Sequence, residues 1–145
     1  MKIRTMTINF YSLTNIRLNN RTNLKLFLTS IAKKEKTKIA SVDIIFCSDE
    51  YLLQINKDFL QHDYYTDIIT FDLTRDKKEG IISEIYISVD RIRENAKEFV
   101  TTINRETHRV IFHGILHLCG FKDKSTKDKK TMVSKEDYYL NRYFN

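Results

Sequence analysis

The chain has no proline and only three glycines, Gly80, Gly114 and Gly120, in 145 residues. With so little to punctuate it, and with no repeat or low-complexity stretch, it offers no visible linker, and residues 1–145 are expected to form a single domain. That length buries about 68 to 70 % of the unfolded surface, enough for one full core. No apolar run approaches the roughly 18 residues that a membrane span needs. The opening Met1-Lys2-Ile3-Arg4-Thr5-Met6 does not run on into the apolar stretch of a secretory signal. Cysteine is scarce as well. Cys47 and Cys119 lie far apart in apolar surroundings and read as reduced thiols rather than a disulfide framework. A cytoplasmic protein without a membrane association fits these absences.

What is present in excess is positive charge, +6 overall, and it is unevenly placed. Residues 1–40 carry nine basic and one acidic side chain, residues 41–100 seven and thirteen, and residues 101–145 nine and five. Basic ends flank an acidic middle. Five lysines crowd into residues 122–130, a density that draws polyanions such as nucleic acid, although charge runs are also common on solvated faces.

Periodicity gives the outline. Met6, Ile8 and Phe10 alternate with polar neighbours as in a strand, and Leu24, Phe27, Leu28 and Ile31 repeat at helical spacing. Val42–Cys47 reads as a strand, followed by a helix from Ser48 that carries Leu52 and Ile55. Ile68–Phe71 and Ile81–Ser88 read as strands separated by a polar turn, and Ser88 suits the cap of a helix with Val89, Ile92, Ala96 and Phe99 on one face. A helix from Thr102 is expected to bury Ile103, Thr107, Val110, Ile111, Gly114 and Leu118. A last one is expected to bury Met132, Val133, Glu136, Tyr139, Leu140 and Tyr143. The expected fold class is therefore α+β: a small mixed sheet of about four strands packed by about five helices.

The segment His113-Gly114-Ile115-Leu116-His117-Leu118-Cys119-Gly120-Phe121-Lys122-Asp123 carries the chemistry. His113 and His117 are i and i+4, so a helix stacks them on one face. Gly120 follows where that helix has to stop, and the reversal it permits brings Asp123 back as a third ligand. Two such histidines alone also suit a buried core position; the glycine and the aspartate make the metal reading the stronger one. Cys119 lies about 200° around the helix from His117, as core cysteines do, and is left out of the ligand set. Three protein ligands with a fourth position free is the pattern of a catalytic zinc, and this would be a zincin-like metal helix. The spacing His-x3-His-x2-Gly-x2-Asp is close to that of the long zinc-peptidase motif. Those peptidases place a glutamate after the first histidine as general base, whereas Gly114 stands here, so amide cleavage lacks its proton acceptor. Phosphodiester cleavage demands less, because a ribose 2′-hydroxyl can attack.

The same segment is similar to the His-Gly-x-Leu-His-Leu-x-Gly-[Phe/Tyr]-x-[His/Asp] signature of the YbeY family of bacterial metal-dependent endoribonucleases. Asn56-Lys57-Asp58-Phe59 with Thr66-Asp67-Ile68-Ile69-Thr70-Phe71, and then Ser83-Glu84-Ile85-Tyr86-Ile87-Ser88, resemble two further blocks of that family, so the likeness spans essentially the whole chain. It implies zinc ligands at His113, His117 and Asp123, and a single-strand endoribonuclease of ribosomal RNA maturation, with ribosomal RNA, the small ribosomal subunit and its assembly proteins as partners. Two departures stand out. Many members have histidine where Asp123 offers a harder oxygen, which opens the site to other divalent metals. The family's arginine falls at Leu60, which cannot donate to phosphate, so Lys122, Lys124 or Arg109 is expected to take over the RNA contact. Asp67 could orient a ligand or simply start its strand. A non-catalytic, RNA-binding assembly factor with a structural metal stays open as the alternative, with a metallopeptidase behind it.

Overall fold

The computed structural model describes residues 6–60 and 66–145; the Met1–Thr5 stretch considered above as a leader lies outside the described residues. In order come β1 (Thr7–Ser12), α1 (Arg21–Lys34), β2 (Ile39–Cys47), α2 (Asp49–Leu60), β3 (Ile68–Asp72), β4 (Ile81–Ser88), α3 (Val89–Glu98), α4 (Ile103–Leu118) and α5 (Thr126–Phe144). A short 3-10 turn at Lys77–Glu79 lies between β3 and β4. The described residues thus hold four strands and five α-helices, the expected α+β class.

The sheet runs β1-β2-β4-β3, with β1, β2 and β4 parallel and β3 antiparallel at the edge. Central β2 reads almost continuously apolar because both of its faces are covered, as parallel strands require. On one face Ile8, Val42, Ile44, Phe46, Ile85 and Ile87 meet Leu24, Leu28 and Ile31 of α1, Ile92 of α3, and Ile111, Phe112 and Ile115 of α4. On the other face lies α2, whose Leu52 and Ile55 pack with Cys47 and Ile69. The helix that carries the histidines therefore lies in the thicker layer, against the β3 and β4 side of the sheet. Gly114 makes that approach possible: a Cβ there would lie 3.0 Å from Ile68 Cδ1 and 3.1 Å from Ile85 Cδ1.

Three side chains read as core turn outward. Phe99 is exposed because α3 stops at Glu98 and Val100 turns the chain with a φ of 53°. Ile103 is the first residue of α4, beyond the edge of the layer, and Val133 lies on the outer side of α5. Glu136 lies on the buried side of α5, as its place in the stripe leads one to expect, at 3 % exposure.

Candidate metal centre

Helix α4 begins at Thr102, whose hydroxyl accepts from the Arg105 amide at 3.0 Å. It ends in a Schellman turn: the Gly120 amide donates to the His117 carbonyl at 3.0 Å and the Phe121 amide to the Leu116 carbonyl at 3.1 Å, with Gly120 at a φ of 98°. Ser125 then caps α5 through the Asp128 amide at 3.0 Å. Asp123 is held in the short connection between these two fixed ends and returns to the face that carries the histidines.

The His113 and His117 rings are 4.6 Å apart between centroids, nearly perpendicular. Asp123 Oδ2 lies 3.3 Å from His113 Nε2 and 3.4 Å from His117 Nε2, and the three ligand atoms fall within 4.8 Å of one another. Ligands about 2.0 to 2.1 Å from a tetrahedral centre are about 3.3 to 3.4 Å apart, so the two measured edges are compatible with a metal's ligand shell. Two imidazoles and a carboxylate suit a divalent transition ion. These residues could bind a metal.

Behind them is a polar network that the sequence reading missed. His113 Nδ1 donates to Glu136 Oε2 at 2.5 Å, which fixes the tautomer and leaves the Nε2 lone pair facing Asp123 and His117. The other Glu136 oxygen accepts from Arg109 Nη1 at 3.1 Å. Arg109 is gripped again by Glu106, from Nε at 2.8 Å and Nη2 at 2.7 Å, and Asp67 lies 3.7 Å from Nη2. Asn95 of α3 donates to Glu106 at 3.3 Å. Glu106 and Glu136 are almost wholly buried, a position carboxylates tolerate only with partners of this kind. Three carboxylates, at Asp67, Glu106 and Glu136, face one guanidinium, and Asp123 adds a fourth beside the histidines, a surplus of negative charge that a divalent cation would offset.

The electrostatics follow. Burial disfavours the charged form of His113, but the Glu136 hydrogen bond and the charges of Glu136, Asp67 and Asp123 outweigh it and raise its pKa. At His117 burial and the neighbouring His113 prevail over Asp123 and lower it. For Arg109 burial is more than offset by Glu106 and Glu136, and its pKa is raised. Arg109, expected from the sequence among the RNA contacts, is thus enclosed by carboxylates with its side chain 23 % exposed. Lys122 and Lys124 are exposed on either side of Asp123.

The family model for endoribonuclease YbeY matches residues 7–144. The chain belongs to the YbeY family. The endoribonuclease YbeY of Cytophaga hutchinsonii is 53 % identical over 127 residues, 88 % of each chain, and that of Karelsulcia muelleri 41 % over 133 residues, 92 % of this chain and 93 % of the other. A solution structure of a Thermotoga maritima protein, 30 % identical, superposes with a TM-score of 0.63 and covers 95 % of this chain and 89 % of that one. Within this YbeY-family chain, a glutamate inside the apolar stripe of α5 was the available signal for Glu136, since an acidic residue at a core position calls for a partner.

Proposed function

We propose that this YbeY-family chain is a metal-dependent endoribonuclease that cuts single-stranded segments of ribosomal RNA precursors in the cytoplasm, working on the small ribosomal subunit and alongside its assembly proteins, with residues 1–145 acting as one catalytic unit. Zinc is the proposed ion, held by His113, His117 and Asp123. The observation that carries the reading is the triangle of donor atoms around Asp123 Oδ2, with its first histidine oriented by a buried glutamate.

When bound, the ion supplies Lewis acidity, drawing charge from a phosphoryl oxygen and easing deprotonation of the attacking oxygen. The chain's own residues do the rest. Glu136 keeps the His113 proton on Nδ1, and Arg109 holds the Glu136 carboxylate in place. Lys122 and Lys124 are the proposed phosphate contacts. Asp123 leaves other divalent metals able to serve. No helix among the described residues is long and apolar enough to cross a membrane.

Cleavage of a labelled single-stranded ribosomal RNA fragment, with His117→Ala purified identically, tests the assignment. Loss of cleavage in the variant is expected; equal cleavage refutes the metal mechanism. Leu60, where the family resemblance leads one to expect arginine, favours a second reading as a non-catalytic assembly factor. RNA binding without cleavage by the wild type would select it.

A further inference from the structure

Where β1 ends at Ser12, the chain crosses to α1 through a loop that meets α3, and a shallow cavity of about 520 Å³ opens there, lined by Asn15, Ile16, Arg17, Leu18, Arg21 and Arg93. Three guanidiniums converge on it and no carboxylate lines it. None of the three forms an ion pair with a described residue, whereas Arg91 is paired with Asp49, and Arg109 with Glu106 and Glu136. Arg93 donates through Nη2 to the Asn15 carbonyl at 2.9 Å, which ties the loop to α3 and leaves most of its five N–H groups for a ligand. Like charges gathered without a counter-ion oppose compaction, so the arrangement calls for an anion.

We infer that this cavity is a second RNA subsite, which grips the phosphodiester backbone of the substrate strand away from the metal centre. The inference rests on the endoribonuclease reading above. Arginine suits the role because its planar fork meets phosphate oxygens in pairs. The cavity is open rather than enclosing, as a passing backbone needs, and five of its six lining residues fall in the most basic part of the chain, residues 1–40. Its position relative to the centre follows from α3. Arg93 and Asn95 are two residues apart, about 200° around the helix, so Arg93 serves the cavity while Asn95 holds Glu106 on the opposite side. The subsite is thus about one helix diameter, 10 to 12 Å, from the network behind His113, a gap that a few nucleotides bridge.

The salt dependence of binding tests this. Wild type, the triple variant Arg17→Ala, Arg21→Ala, Arg93→Ala, and the corresponding triple lysine variant would be compared on a long single-stranded RNA, with cleavage of a dinucleotide followed alongside. Each lost phosphate contact removes about 0.7 from the slope of log K against log salt for single strands. The alanine variant should therefore bind with a slope shallower by about 2, and its affinity deficit should shrink about 18-fold between about 50 and 200 mM salt. Its dinucleotide cleavage should match wild type, and the lysine variant should keep the wild-type slope. Arg21→Glu alone, on the exposed start of α1, provides an independent reading in the same direction. Equal slopes in wild type and both of these variants, with wild type still cleaving, overturn the subsite alone. Wild type that cleaves no RNA overturns the nuclease reading beneath it.

Discussion

Glu136→Gln should weaken the metal centre without emptying it of ligands. The carboxylate accepts on both sides, from His113 Nδ1 at 2.5 Å and from Arg109 Nη1 at 3.1 Å. An amide of the same shape has one oxygen, so whichever way it turns, its NH2 group faces a donor. One buried donor is left unmatched, at a cost of about 1 to 3 kcal/mol in the metal-free protein. For a chain of this length that lowers Tm by about 4 °C per kcal/mol. The orientation of His113 is loosened at the same time, and outer-shell losses of this kind weaken metal binding about 10- to 100-fold. Competition for zinc against a chromophoric chelator reads the second effect, and thermal unfolding of the metal-free protein reads the first. Glu106→Gln is the control: it touches Arg109 but neither histidine, so it should lower Tm while changing zinc affinity much less. Zinc affinity of Glu136→Gln within threefold of wild type, or a matching loss in Glu106→Gln, would refute the role given to Glu136.

Three other outcomes follow from local geometry. Gly120→Ala has no steric clash to explain a loss, since nothing lies within 4 Å of its Cβ, but the left-handed turn should cost about 1 to 2 kcal/mol in thermal unfolding, with Gly120→Asn less affected. Burial under α2, with Asp49 and Asp90 nearby, pushes the Cys47 thiol from 9.0 up to about 12. The folded chain then holds a proton that the unfolded chain releases, so stability should be whole below about pH 9 and fall by about 1.4 kcal/mol per unit as pH rises toward 12. Denaturant midpoints along that range should show the decline, and Cys47→Ala should flatten it; an unchanged slope contradicts the assignment. Zinc at 100 times its Kd should stabilise the protein by about 2.7 kcal/mol, reversed by a chelator and absent in His117→Ala.

The element order and the gathering of His113, His117 and Asp123 were legible because each rests on local pattern. Alternation around Ile8 and Phe10, the i, i+4 histidines and the glycine stop need only neighbours in sequence. The network behind those side chains was not, because it joins Asn95, Arg109 and Glu136 from three separate helices with Asp67 from the bend just ahead of β3. Glu136 repeats at helical spacing with Met132 and Tyr139, and periodicity alone absorbs it into the core. Arg109 follows the same logic: counted as a cation it reads as an RNA contact, and only the fold reveals the carboxylates around it. Phe99, Ile103 and Val133 were misplaced for a simpler reason, since a helical stripe does not say where the helix stops or how wide the covered face is.

Gly114 occupies the helix position that holds the glutamate base in zinc peptidases, and here that position is pressed against Ile68 and Ile85. A side chain of that size could enter only by lifting α4 from the sheet and carrying both histidines with it. Point mutation at Gly114 therefore offers this scaffold no short evolutionary route to amide hydrolysis. Any such conversion would have to begin with two isoleucines of the sheet, residues that no inventory of catalytic groups would include.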